Sequence, residues 1–525
     1  MKLLSSATVL AASLLLAIAP NASASVTTPV LVSGPSPYAG AACVKTDAGQ
    51  PGQEFLNGEA EPYVAVSPVN AGNVIGVFHQ DRWSNGGAHG IAGAFSANGG
   101  ASWTEVTLPF SACAPGGLPY QRASDPWVSF GPDGTAYASA LSFDMSDGRN
   151  AVSASVSTDG GATWTPTQTI VAFPNSQIGT DKNATTADPV RAGVAYTVWD
   201  NLPSPTDQPD DRIHAAAFSG PAEFSETTDG GKTWSAERTI IPVRNRQQTI
   251  GNIIIVDPRT DALYDFTDLI VAPNTPKQGV RSNEFVAFVK STDGGATWTA
   301  PQVIAPFDEL GVMDPNTGQP LRTGDGLEQV AIDPSTGALY VVWEKSTNFE
   351  KNINQDSTSW DNEIVISVST DGGSTWTTPS VVHSLASGLP VWTPMVAVAP
   401  DGTVAVSYYD NRELSATNTT TLPTDYWVST STDGGATFGH EQHIAGPFDE
   451  MSAPVAGGFF LGDYEGLQGT SSGFEAFFVK TNCNLDPAAP NAPPTGDTAC
   501  GPASSNVTPT PNTNPTDVFS ATIST

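Results

Sequence analysis

Residues Ser157–Trp164 read Ser-Thr-Asp-Gly-Gly-Ala-Thr-Trp, and the chain writes this octapeptide six times. The other copies are Ser96–Trp103, Thr227–Trp234, Ser291–Trp298, Ser369–Trp376 and Ser431–Phe438. Their closing aromatic residues fall 61 to 78 positions apart, so the repeat runs through most of the chain. Five copies carry an aspartate at the third position: Asp159, Asp229, Asp293, Asp371 and Asp433. Asp-Gly-Gly supplies the positive-φ residues that a tight hairpin needs. The hydroxyl and carboxylate can bond the exposed turn amides, and the aromatic ring can pack beneath the turn. The turn therefore predicts a strand on either side of each copy.

Working outward, each copy sits in a four-strand pattern. A short strand ends in a turn such as Asp333-Pro334, and an apolar strand such as 338–344 follows. A third strand such as 363–369 enters the octapeptide, and a fourth such as 376–383 leaves it. Composition agrees: 50 Gly and 43 Pro accompany only 14% charged residues, against roughly 25% in typical domains. Long charged helices are excluded, and an all-β fold is predicted. Four antiparallel strands per repeat make a propeller blade. Six copies suggest six blades; the chain ends suggest a seventh. Residues 518–525 read as a third strand that stops where the octapeptide would begin, and 27–33 read as a fourth. Their pairing would close a ring of seven and leave no open edge. The Pro/Asn/Thr-rich stretch 482–515 reads as an insertion, so 25–525 reads as one propeller.

The octapeptides resemble the Asp-box (BNR) repeat of the sialidase superfamily of β-propellers. In that family the box is a structural turn opposite the active face, which implies no catalytic role for the five box aspartates. The resemblance also implies a secreted, glycosidase-like protein acting on extracellular glycans.

The remaining signals bound the partners. Formal net charge is −32, which disfavours nucleic acid and anionic membrane surfaces. Lys2, the apolar run 9–19 and Ala22-Ser23-Ala24 read as a signal peptide over 1–24. No later run is long enough to span a bilayer. The expectation is an exported monomer facing extracellular carbohydrate or glycoprotein. Cys43, Cys113, Cys483 and Cys500 fit an oxidising compartment and match no zinc spacing. Three pairings are open, and the propeller topology favours 43–113 with 483–500.

Aligning the blades on their first turn gathers Glu61, Asp125, the run Asp181-Lys182-Asn183, Asn252, Glu328, Thr393 and the run Asp463-Tyr464-Glu465 at the channel mouth. On the sialidase template Tyr464 would be the nucleophile and Glu465 or Glu328 its base, with Asp125 as a further catalytic carboxylate. Arg82, Arg122 and Arg412 would clamp an anionic substrate, beside Glu61, Lys182 and the indole of Trp83. Glu61-Pro62-Tyr63 stands where that family carries Arg-Ile-Pro, and no arginine falls at the aligned strand starts. Other glycosidase or lyase chemistry is therefore weighed beside it. The alternative is a non-catalytic glycan- or protein-binding propeller. No cofactor is required, although a carboxylate ring could hold Ca²⁺. Asp207, Asp210 and Asp211 form a further acidic cluster, and the six histidines show no metal or triad spacing.

Overall fold

The computed structural model describes residues 25–38, 43, 49–203, 219–244, 247–271, 283–324, 326–347, 362–385, 388–485 and 514–525. The signal segment 1–24, the acidic cluster 207–211, Cys500 and most of the insertion lie outside the described residues.

The regular structure is strand after strand, with a 3-10 turn at Glu450–Ser452. The first antiparallel unit contains Ala60–Val66, Val74–Trp83, Ala88–Ser96 and Thr104–Thr107, paired in that order. Later units begin with Arg122–Phe130, Ile178–Ala187, Gln247–Asp257, Gln329–Ile332 and Val391–Val398. A single pair, Ala88 with Ala123, joins the first two units into one sheet. The last unit holds Gly466–Thr470, Gly473–Thr481 and Thr516–Ser524. Its outer strand comes from the other end of the chain. Ser25 pairs with Ser524 and Val30 with Ser520. Thr27 N–H still donates to Thr522 O at 2.9 Å, and the ladder is interrupted after it, where Pro29 has no N–H to give.

One fourth strand is shorter than the sequence predicts. The 376–383 strand is only Ser380–Val381, because Pro379 precedes it on an outer edge and cannot donate to the ladder. Middle strands are buried on both faces: every residue of Val74–Trp83 is covered. Gly76 shows how closely units approach, since a Cβ there would meet Phe477 of the last unit at 2.0 Å.

The first strand of each unit packs on the first strand of the next, and Gly466–Thr470 packs against Ala60–Val66. Between them lies a cavity of about 330 Å³ lined from all seven, including Val66, Trp127, Thr186, Ile254, Ala397 and Leu467.

The octapeptides form one repeated turn. In the second copy Asp159 accepts the Ser157 hydroxyl at 2.8 Å and the Thr163 amide at 2.9 Å, while Gly161 N–H donates to Ser157 Oγ at 2.9 Å. These bonds hold the Asp229, Asp293, Asp371 and Asp433 carboxyls at about 2. The closing aromatics reach sideways as well as beneath. Trp298 packs on Phe224, 5.7 Å between centroids, and Trp103 donates its indole N–H to Ser520. Each turn thus docks on a neighbouring unit.

Cys43 and Cys113 are bonded, with Cα atoms 5.0 Å apart. Cys483 is also disulfide-bonded, and the expected partner Cys500 lies outside the described residues.

Candidate functional site

Five of the first strands share an irregularity. Glu61, Asp125, Lys182, Gly251 and Thr393 all have positive φ, between 48° and 76°. Each sits where its strand slips register against the next one. Proline follows three of them, at Pro62, Pro126 and Pro394. A left-handed bulge re-aims its side chain, and non-glycine residues hold that conformation only where packing imposes it.

One bulge, a short strand and a loop build an ionic cluster. Asp463 Oδ2 accepts Lys182 Nζ at 2.6 Å and Arg322 Nη2 at 2.5 Å, and its Oδ1 accepts Arg322 Nε at 2.9 Å. Burial alone would raise the Asp463 carboxyl, but the two cations outweigh it and hold it well below the usual range. Arg322 comes from Leu321–Arg322, which pairs in parallel with Phe459–Phe460. Arg82 and Arg322 lie over the Phe460 ring at 4.8 and 4.6 Å.

Beside this cluster two carboxylates share one amide. Lys182 N–H donates to Asp125 Oδ2 and to Asp181 Oδ1, both at 3.0 Å. The two oxygens are therefore no more than about 6 Å apart, close enough for one to feel the other's charge. Ser124 holds the remaining Asp125 oxygen at 2.8 Å. Burial first, and then the Asp125 charge, push the Asp181 carboxyl up to about 7. Asp125, Asp181, Lys182, Arg82 and Arg322 all line one cavity of about 500 Å³, whose lining also includes Leu141 and Phe143. A carboxyl poised near neutrality beside a second carboxylate can give and take protons at working pH.

The other expected residues lie elsewhere. Tyr464 is 4% exposed, donates its hydroxyl to Pro126 O at 3.1 Å and packs edge-on to Trp127. Glu465 is buried and accepts Val479 N–H at 3.0 Å. Glu328 is buried near Asp265 and Asp268. Neither glutamate lines the cavity. Glu61, 1% exposed, does not line it either.

The three arginines form no clamp. Arg82 donates to Gly87 O at 2.6 Å. Arg122 is buried, bonded to Gln50, Pro51, Asn85 and Gly86, and stacked over Trp83 at 4.1 Å. Arg412 pairs with Asp410 and covers Trp427 at 3.6 Å. Each meets structural acceptors: carbonyl and amide oxygens for Arg82 and Arg122, and the Asp410 carboxylate for Arg412.

Two close groups of carboxylates and imidazole occur among the described residues, Glu54–Asp81–His89 and Glu61–His79–Asp125. Each offers two carboxylates and one imidazole, not the six to eight oxygens Ca²⁺ prefers.

Arg322 was not singled out from sequence, because it lies in an inter-unit loop with no repeat partner. The long 298–376 spacing marks that interval as enlarged. His79 carried no motif, and its place at the site comes only from the register of its strand.

No protein-family profile and no curated protein matches the chain. Solved structures similar to it include a polysaccharide lyase, an ulvan lyase, at 10% identity and TM-score 0.46, covering 82% of this chain and 92% of that one. A Penicillium chrysogenum α-L-arabinanase complexed with arabinobiose is 13% identical at TM-score 0.45, covering 73% and 94%. A Hadza microbial sialidase is 13% identical at TM-score 0.42, covering 77% and 70%. At these scores the likenesses constrain neither the architecture nor the chemistry of this chain.

Proposed function

We propose that residues 25–525 form one exported, seven-bladed Asp-box propeller that hydrolyses glycosidic bonds in extracellular glycans. Closure is supported by the circuit of packed first strands and by the N-terminal segment pairing with Thr516–Ser524. Export is supported by the 1–24 signal pattern and by the Cys43–Cys113 bond.

The observation that carries the activity is the carboxylate pair on the Lys182 amide. Asp181, protonated below about 7, is the general acid that protonates the departing glycosidic oxygen. Asp125 is the second carboxylate, attacking the anomeric carbon or stabilising its positive charge. Retaining enzymes set their carboxyl groups roughly 5–5.5 Å apart and inverting ones roughly 6.5–9.5 Å apart, so this pair favours retention. Lys182 and Arg322, locked by Asp463, bind substrate oxygens at the wall. Leu141 and Phe143 offer an apolar face to the sugar ring.

A second reading is β-elimination from a uronate-bearing glycan, favoured by the two cations at the cavity wall. A panel of fluorogenic glycosides and natural polysaccharides separates the two. Hydrolysis releases fluorophore or reducing ends, whereas elimination produces an unsaturated product absorbing in the ultraviolet. Glycan or protein binding without any turnover would leave a binding platform and sink the enzyme reading.

A further inference from the structure

We propose that the cavity wall holds a monovalent anion, chloride in the extracellular medium, on the Arg82 guanidinium beside Arg322 and Lys182. The site is distinct from the Asp125–Asp181 pair and does not depend on the reaction assigned to that pair.

A buried cation without a counter-charge leads there. Arg82 is 2% exposed and lines the cavity. Its Nη1 donates to Gly87 O at 2.6 Å, a neutral acceptor, and its Nε has no hydrogen-bond partner. Among the described residues Arg82 forms no salt bridge, and its Nη2 donates to nothing. Lys182 and Arg322, the other cations of this wall, both bond Asp463 Oδ2, at 2.6 and 2.5 Å. That one carboxylate already answers two positive charges and has none to spare for a third. A carbonyl or a water can satisfy an N–H group, but neither cancels the charge of a guanidinium taken out of bulk water.

The placing of the cations sharpens the point. Arg82 and Arg322 lie over the same Phe460 ring, at 4.8 and 4.6 Å from its centroid. The ring attracts each of them, but it brings two like charges together. Burial first, and then Arg322, push the Arg82 guanidinium down to about 10. The nearby carboxyls do not restore the balance. Burial raises Glu61 and brings Asp181 to about 7, favouring their uncharged forms. Asp463 and Asp125 then stand against Arg82, Lys182 and Arg322, so one positive charge is in excess at this wall of a chain whose net charge is −32.

The excess selects the occupant. A single surplus charge suits a monovalent anion, and the carboxylates lining the same cavity repel the second charge of a phosphate or sulfate. The donors come from three separate segments, Val74–Trp83, Ile178–Ala187 and Leu321–Arg322. Lys182 Nζ has N–H groups beyond the one that Asp463 takes. A planar carboxylate asks for the parallel fork of one guanidinium, which on Arg322 is already given to Asp463. A spherical ion accepts donors from any direction.

The test is ³⁵Cl NMR of the full chain in sodium chloride, beside a crystal soaked in sodium bromide. The chloride line should broaden in the presence of the protein, and bromide should reverse the broadening. In the crystal, bromide should give an anomalous peak against the Arg82 guanidinium. Arg82→Met should weaken chloride binding by about 10–100-fold, the scale of a hydrogen bond to a charged group. Arg322→Gln, at the more exposed partner, should weaken it less, and it serves if Arg82→Met fails to fold. No broadening by wild type, undiminished broadening by folded Arg82→Met, or bromide bound only elsewhere would overturn the inference. So would uptake of glucuronate where chloride does not bind, since the wall would then be a seat for a substrate carboxylate. None of these readouts needs turnover, so they decide the matter even if no glycoside is cleaved.

Discussion

The two glycines of one turn make a matched pair for testing how neighbouring units are joined. Gly230 and Gly231 have φ of 79° and 77°, so alanine is strained equally at both. That strain is about 1–2 kcal/mol, partly offset by the reduced freedom of the unfolded chain. Their surroundings differ. A Cβ at Gly230 meets nothing within 4 Å, while one at Gly231 would lie 2.4 Å from Val156 Cγ2 in the preceding unit. Overpacking of that kind costs about 1–3 kcal/mol more. Gly230→Ala should therefore lose about 1 kcal/mol, and Gly231→Ala about 2–4 kcal/mol, by equilibrium denaturation in urea. Adding Val156→Ala should make the second change less costly than it is alone, a coupling readable by a double-mutant cycle. Equal losses at the two positions, or no coupling to Val156, would refute the idea that these turns dock units together.

Stability should also depend on pH in two opposed ways. The Glu105, Glu223 and Glu475 carboxyls are pushed up to about 7, and Glu450 to about 8, by burial. A raised acid contributes stability fully present below its unfolded value and lost as pH rises through its folded one. The turn aspartates near 2 contribute above about 4 and lose that contribution as pH falls towards 2. The denaturation midpoint should therefore be higher at pH 5 than at pH 8, and should decline again, more modestly because the turn aspartates are exposed, below pH 3. Breaking the Cys43–Cys113 bond, which spans 70 residues, should cost about 2–4 kcal/mol, read by urea denaturation of Cys113→Ser. Asp463→Asn should raise KM more than it lowers kcat, because it frees Lys182 and Arg322 without touching the carboxylate pair; steady-state kinetics separates the two effects.

The repeat was legible because its turn chemistry is local: hydroxyl, carboxylate and two glycines within eight residues dictate the conformation wherever they recur. Strand positions followed, since each turn fixes what enters and leaves it. The site was only half legible. Alignment brought Asp125, Lys182 and Asp463 to one end of their strands, but it could not say which side chain of a run turns inward. Within 463–465 it is Asp463 that meets the cations, while Tyr464 turns into the aromatic packing around Tyr63 and Trp127. The run lies just ahead of the strand Gly466–Thr470, so no ladder alternation fixes which of its side chains turns inward. Arg322 stands 141 residues from its partner Asp463, a contact that no local pattern encodes.

The central claim is tested most directly by the rate of glycoside cleavage from pH 4 to 9 in wild type, Asp125→Asn and Asp181→Asn. The account predicts that wild-type turnover falls as pH rises through about 7. It also predicts that Asp181→Asn loses about 10²–10⁴-fold in kcat on substrates with poor leaving groups, that Asp125→Asn is inactive, and that both keep the native fold. Turnover by both variants at the wild-type rate with the wild-type pH profile would contradict it.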